Sequence, residues 1–393
     1  MIKLRNFSIR LRRAQEIWPL NVLQFYRTYM PESHGGIEEA IRQICIGSGQ
    51  YGIKHRILTL AHVAETEIIE RPEATVIRAP LQWDPASCSM GMELFRLYRE
   101  HASWADVIHI HYPWPFADLV HVLSFVRKPV VVTYHSDIIR QSWLERLYSP
   151  LRKLFFRSVS ATVATSPNYM NSSDFLKKFE GELRIIPLGL SPDSYQSPSL
   201  EAKQTVLEQF GDEFFLFVGV LRYYKGLQFL VDAAKRTGLQ VVIAGRGPEE
   251  HRLRSQVKEL GLVNVHFAGF VSDDVRAALF EHCRAVVFPS YVRSEAFGVT
   301  LLEGSLFAKP LISCEIGTGT TFVNIDGETG LVIPPGNSWE LAMAMRSLSV
   351  DSGLASEMGK ASRRRLESVF SGDKVGRAYR DLYQEVVSKV KHP

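Results

Sequence analysis

Cysteine is scarce in this chain. Its 393 residues hold four, Cys45, Cys88, Cys283 and Cys314, too scattered for a CxxC pair or a Cys/His ligand cluster. That excludes a disulfide framework and a zinc site of the usual spacing, and the thiols read as buried groups in a reducing compartment. Long apolar runs are missing as well: none approaches the ~20 residues that cross a bilayer. The first residues carry basic side chains without the continuous apolar core of a signal peptide. An excess of one charge is absent, since 46 Lys and Arg against 42 Asp and Glu leave +4, too little to argue for nucleic acid. Neither a Walker A loop nor a GxGxxG fingerprint occurs, so ATP and nicotinamide are not indicated. No DxD or His/Asp ligand set is found, so no metal is read. What remains is a globular chain long enough for two domains, cytoplasmic or resting on a membrane surface.

Its first positive signal is basic. Within 1–18, Lys3, Arg5, Arg10, Arg12 and Arg13 interleave with Ile2, Leu4, Phe7, Ile9 and Leu11 before the first acid, Glu16. Such a segment either lies on an anionic bilayer, each cation adding about 1 kcal/mol, or is an extension outside the fold. The fold starts at the strand Asn21–Phe25, followed by a glycine loop at Gly35-Gly36, a helix and a second strand. That order opens a doubly wound α/β domain, and the glycine pair lets backbone approach a diphosphate. Further strands read at Ala74–Ala79, Val107–His111, Pro129–Tyr134, Val159–Thr165 and Arg184–Pro187. His135 and Asp137 stand where the fourth ends, at the edge where open parallel sheets collect ligands. His109 and His111, on the neighbouring strand, read as acceptor-side or structural residues. Between them and the domain's end, Arg140, Arg146, Arg152, Lys153 and Arg157 mix with Trp143, Leu147, Leu154, Phe155 and Phe156. This is either a core helix broken at Pro150 or a basic amphipathic membrane contact beside the acceptor site.

Ser and Pro dominate 191–204, which reads as a linker between a first domain, 19–190, and a second, 205–371. A fresh α/β series begins at Phe214–Gly219. Behind it Arg222 and Lys225 sit three positions apart at a strand-to-helix turn, where Arg forks onto phosphate oxygens and Lys adds a point charge. The strand Val286–Phe288 ends at Pro289-Ser290, a loop carries Glu295, and Gly298 opens a helix from Val299 that stops at Lys309-Pro310. Amides at that start form an anion site. Glu303, eight positions after Glu295, can hold the other end of an anionic sugar nucleotide. At the C-terminus, apolar residues at 375, 378, 379, 382, 383, 386, 387 and 390 keep a helical period.

The string PSYVRSEAFGVTLLE resembles the E-x7-E signature of retaining GT-B glycosyltransferases of the large GT4 type, and GVLRYYKG is similar to their G-x-L-x-x-x-K-G loop. The resemblance spans roughly 20–390 and implies an α/β fold of GT-B architecture. Two Rossmann-like domains would face each other across a cleft, with the C-terminal helix of 372–393 crossing back to the first. It implies donor contacts at Gly35, Gly36, Gly219, Gly245, Phe270, Val271, Phe297, Gly298, Val299 and Thr300, and places His135 against the donor sugar. Arg222 and Lys225 would neutralise the leaving diphosphate, Glu295 orient the sugar, and Glu303 hold the ribose; no metal or other cofactor is called for. Relatives carry two glycines and an acid where this chain has EIGTGTTFVN, so Thr320 and Thr321 stand as donor contacts only by position. YHSDIIRQ and EIGTGTTFVNIDGETG are most similar to mannosyl- and deoxymannosyltransferases of O-antigen and other surface polysaccharides. GDP-mannose or GDP-rhamnose, with UDP-sugars as the alternative, would then be the donor and a lipid-linked saccharide the acceptor. A nucleotide-sugar epimerase and a non-catalytic partner subunit share the architecture and stay as rivals.

Overall fold

The computed structural model describes residues 19–85, 88–138 and 142–391. The basic segment 1–18, Arg140 and the side chains of 142–147, Trp143 and Arg146 among them, lie outside what it describes. The first domain holds β1 (Leu20–Phe25), β2 (Ile53–Ala61), β3 (Glu67–Glu70), β4 (Thr75–Pro80), β5 (Val107–Tyr112), β6 (Val130–Tyr134), β7 (Ala161–Ala164) and β8 (Leu183–Ile185). The second holds β9 (Phe215–Val218), β10 (Val241–Ala244), β11 (Val265–Gly269), β12 (Ala285–Phe288), β13 (Leu311–Cys314) and β14 (Gly330–Ile333). Strand order is β3-β4-β2-β1-β5-β6-β7-β8 in one sheet and β11-β10-β9-β12-β13-β14 in the other. β5 and β6 are buried at every position, as a parallel sheet covered on both faces requires.

One strand was not legible. β3 pairs antiparallel with β4 at the sheet edge, and its residues EIIE are mostly exposed. An edge strand that tucks in only Ile69 leaves no alternating apolar face for periodicity to detect. Two local readings also need correction. The helix Ser142–Arg157 runs through Pro150 without a break, since one proline removes one hydrogen bond and can merely kink a helix of this length. The helix Leu200–Phe210 begins inside the Ser/Pro-rich segment read as linker, capped by Ser199, whose hydroxyl accepts from the amide of Ala202. Ala202 and Val206 on it join the core of the second domain.

Strand order decides where a ligand can sit. In the first sheet the chain moves outward from β1 through β2 and β4, then returns to the other side at β5. In the second it leaves β9 through β10 and β11 and returns at β12. Crevices open outside the carboxyl ends of strands at such reversals. Residues following β1 and β6 therefore line one wall of the cleft, and those following β9 and β12 the other.

The last helix, Gly372–Lys391, packs on the helix Gly36–Gly49 of the first domain. A Cβ on Gly376 would stand 2.1 Å from the carbonyl carbon of Gly47, so the two backbones approach as only glycines allow. Tyr379, Tyr383, Val386 and Val387 thereby bury against Leu20, Val22, Val107 and Val131 beneath the first sheet. The described residues thus begin and end in one domain.

Candidate active site

A cavity of about 830 Å³ lies between the domains. At the end of β12 the chain turns through Pro289 and Ser290, and Glu295 points back. Its carboxylate takes a hydrogen bond from Ser290 Oγ at 3.2 Å and an ion pair from Lys225 Nζ at 2.5 Å. Lys225 also lies 4.5 Å from the centre of the Phe288 ring, whose face holds the ammonium. Arg222 caps the turn Tyr223–Lys225 and lines the same wall. Gly298 starts the helix Val299–Leu306 with φ +91°, a conformation glycine adopts without strain. No acid stands in that helix's first turn, so its amides face the cavity uncontested.

Glu303, one turn on, is buried and accepts from the hydroxyl of Tyr195 at 3.1 Å, with Arg276 Nη1 at 3.6 Å. Burial pushes its carboxyl above the ordinary range, Arg276 pulls it back, and nearby Glu39 pushes it further up. The same pair raises Arg276, held charged by Glu303. Glu39 belongs to the first domain, so two carboxylates from opposite walls converge on the Tyr195 hydroxyl, Glu39 Oε1 at 3.5 Å.

Across the cleft, His135 is buried, and burial pushes its pKa down to about 3, so it is neutral. Its Nε2 meets His111 Nδ1 at 3.0 Å. His109 and His111 are wholly buried in β5 and bonded to protein groups, and neither lines the cavity. Asp137 does not face the cavity: it accepts from Tyr134 and Ser173 and lies 3.7 Å from Arg293.

Of the residues singled out in the sequence, Gly35, Gly36, His135, Gly219, Arg222, Lys225, Glu295, Phe297, Gly298, Val299, Thr300 and Glu303 line this one cavity. Gly245, Phe270 and Val271 are not part of its wall. Gly245 serves packing, because a Cβ there would sit 2.0 Å from the Gly219 carbonyl oxygen. Phe270 is 68% exposed, with its ring 6.2 Å from that of His34, which does line the cavity. The Thr300 hydroxyl is spent on the Val218 carbonyl at 3.1 Å, tying the helix start to β9. Thr320 and Thr321 are not in the wall either: Thr320 donates to the Cys314 carbonyl and Thr321 accepts from Asn168.

The glycine pair has acidic neighbours. A Cβ on Gly35 would meet the Glu38 carboxylate at 2.4 Å, and Glu38 and Glu39 occupy the first helical turn. Glu38 accepts there from Thr28, and Glu39 from Arg42 and Gln43, so two acids of the chain itself share this helix start. Sequence reasoning also missed Arg27, Tyr195 and Arg276, all in the wall. Arg27 follows β1 at the strand reversal and could have been found by that rule; Tyr195 hid in an apparent linker, and Arg276 carried no signal.

Known proteins match on both halves. Residues 35–189 fit the family described as glycosyl transferase 4-like domain, and residues 200–365 that of glycosyl transferases group 1. A D-rhamnosyltransferase of Pseudomonas aeruginosa is 47% identical over 352 residues, 90% of this chain and 92% of that protein. The O-antigen chain mannosyltransferase C of Escherichia coli is 43% identical over 364 residues, 93% and 98% of the two chains. Among solved structures, sucrose-phosphate synthase from Thermosynechococcus elongatus superposes with a TM-score of 0.77 at 22% identity, covering 94% of this chain and all of its own. With two parallel sheets facing across a cleft and family matches on either side of it, the chain is a glycosyltransferase of the GT4-like, group 1 family with the GT-B fold.

Proposed function

We propose that this enzyme transfers a mannosyl or deoxymannosyl group such as rhamnose from a GDP-sugar to a hydroxyl of a lipid-linked saccharide, in O-antigen or other surface polysaccharide synthesis, with retention at the anomeric carbon. The observation that carries the reading is convergence: Arg222, Lys225, the acid-free helix start at Val299 and the pair Glu295 and Glu303 share one cavity. The relatives named for rhamnosyl and mannosyl transfer support the choice of sugar.

In the reaction, the bond between the anomeric carbon and the β-phosphate oxygen breaks, and the acceptor oxygen bonds on the face that the phosphate leaves. The acceptor's proton goes to the departing phosphate. Charge accumulates on the diphosphate, where Arg222, Lys225 and the amides at Gly298 and Val299 are already oriented, so no metal is required. Preorganised donors of this kind lower the barrier most. Glu295 steadies positive charge at the anomeric carbon and holds Lys225 in place. Glu303 takes the ribose hydroxyls and His135 a hydroxyl of the sugar.

The acceptor's lipid calls for a membrane surface. Lys153, Leu154 and Arg157 are exposed on the helix Ser142–Arg157, as are Leu123, Phe125 and Arg127 nearby. Among the described residues no helix is long and apolar enough to cross a membrane. Peripheral attachment at the cytoplasmic face is therefore part of the proposal, with flotation on vesicles rich in anionic lipid as its check.

A thermal-shift screen of GDP-, UDP- and dTDP-sugars tests the donor, since a bound ligand raises the melting point by mass action. GDP-mannose or GDP-rhamnose should give the largest rise. A rise with UDP-sugars alone removes the donor assignment, and epimer formed from donor without acceptor removes transfer itself.

A further inference from the structure

Behind His135 the first domain carries buried polar side chains that the reaction above does not use. Ser48, His55, Gln24, His111 and His135 form one buried chain of hydrogen bonds leading from a helix to the cleft. Its contacts are Ser48 Oγ to His55 Nε2 at 2.8 Å, His55 Nδ1 to Gln24 Nε2 at 3.2 Å, Gln24 Oε1 to His111 Nε2 at 2.8 Å, and His111 Nδ1 to His135 Nε2 at 3.0 Å.

The direction of every proton in this chain follows from its far end. Ser48 donates its single proton to the Ile44 carbonyl at 2.5 Å, so it can only accept from His55. His55 Nε2 therefore carries hydrogen and its Nδ1 is bare, which demands the amide nitrogen of Gln24. That turns the Gln24 oxygen to His111, whose Nε2 must donate and whose Nδ1 must accept. His135 then donates through Nε2.

A branch agrees. Gln24 Nε2 also donates to the Tyr383 hydroxyl at 3.4 Å, Tyr383 to His109 Nδ1 at 2.8 Å, and His109 Nε2 to Thr133 at 2.7 Å. Tyr383 sits on the helix that crosses back. Burial holds all four imidazoles neutral, with His55 and His135 pushed down to about 3. Among the described residues nothing bonds His135 Nδ1, and the residue lines the cavity.

We propose that Gln24 is a positioning residue: through His111 it fixes His135 as the Nε2–H tautomer, whose bare Nδ1 can only accept a hydrogen bond and so takes a sugar hydroxyl and turns away a phosphate oxygen. This rests on the reading that the donor sugar reaches His135. It assigns the first domain the sugar and leaves the diphosphate to the second.

Nitrogen-15 spectra of histidine-labelled protein read the tautomer directly. In the unmodified enzyme His135 should show hydrogen on Nε2 and a bare Nδ1, and Nδ1 should shift on adding GDP-mannose but not GDP. Gln24→Glu presents a carboxylate that draws a second proton onto His111, so His135 should flip to Nδ1–H and turnover should fall about tenfold or more. If that variant fails to fold, comparing His135→Asn with His135→Gln separates the same alternatives, because Asn sets its acceptor near the Nδ1 position and Gln does not. Asn should retain at least severalfold more turnover. Hydrogen on Nδ1 in the unmodified enzyme, an unchanged tautomer in Gln24→Glu, or Gln outperforming Asn overturns the inference. Full turnover in His135→Ala instead removes the sugar contact on which it rests.

Discussion

Two glycine-led helix starts face the same cleft from opposite domains, and they differ in one respect that decides their use. The start at Gly35-Gly36 carries Glu38 and Glu39 in its first turn. The start at Gly298-Val299 carries no acid there and shares its wall with Arg222 and Lys225. Both present free amides, as every helix N-terminus does, but two acids of the chain itself stand in the first turn of one and none in that of the other. A glycine loop is thus a permission for close approach, and neighbouring charge determines what approaches.

The comparison breaks most visibly at the cations. Lys225→Ala and Glu295→Ala should each lower turnover by about 10²-fold or more, the loss expected when oriented charge is removed from a transition state. Normal turnover in either, measured by release of nucleoside diphosphate, would end the asymmetry.

A smaller effect is expected at the glycines themselves. Gly298→Ala puts a side chain at φ +91° with its Cβ 3.0 Å from Phe288, whereas a Cβ on Gly36 meets only Val299 at 3.7 Å. Backbone strain of that kind costs about 1–3 kcal/mol. The donor KM should therefore rise about tenfold or more for Gly298→Ala and less than about threefold for Gly36→Ala. Equal effects in steady-state kinetics would mean that both starts bind phosphate.

The pH dependence sharpens the contrast. Burial, and after it the nearby Glu39, raises the Glu303 carboxyl against the pull of Arg276. On the proposed role of its charged form in holding the ribose, donor affinity should be lost as pH falls through that raised pKa. Glu39→Gln removes one repulsion and should move this acid limb to lower pH, read from donor KM against pH. A limb that stays put would show that the two domains do not share charge across Tyr195.

Away from the site, Gly376→Ala should cost about 1–3 kcal/mol in calorimetry, because a Cβ has no room against Gly47. Asp137→Asn should change stability by less than about 1 kcal/mol, since its 3.7 Å pair with Arg293 is partly exposed.

Much of this was legible. Runs such as VVVTY and FLFV have the length and buried character of parallel strands, and the E-x7-E string set two carboxylates on either side of a helix start. The edge strand β3 escaped because only Ile69 of its four residues is partly buried. The bond from Thr300 to Val218 escaped because a hydroxyl facing the cleft and one spent on a neighbouring carbonyl look alike in one dimension. Arg276 and Tyr195 escaped because nothing in their own neighbourhoods marks them.

By itself the order of residues determined two doubly wound domains, the cation pair behind β9 and the acidic loop behind β12, since each depends on neighbours within about twenty positions. Tertiary structure alone decided that Glu39 and Glu303 meet at one tyrosine and that the final helix brings Tyr383 under the histidines of the first sheet. Those pairs are far apart along the chain, and Coulomb and hydrogen-bond energies depend on distance in space, which only packing sets.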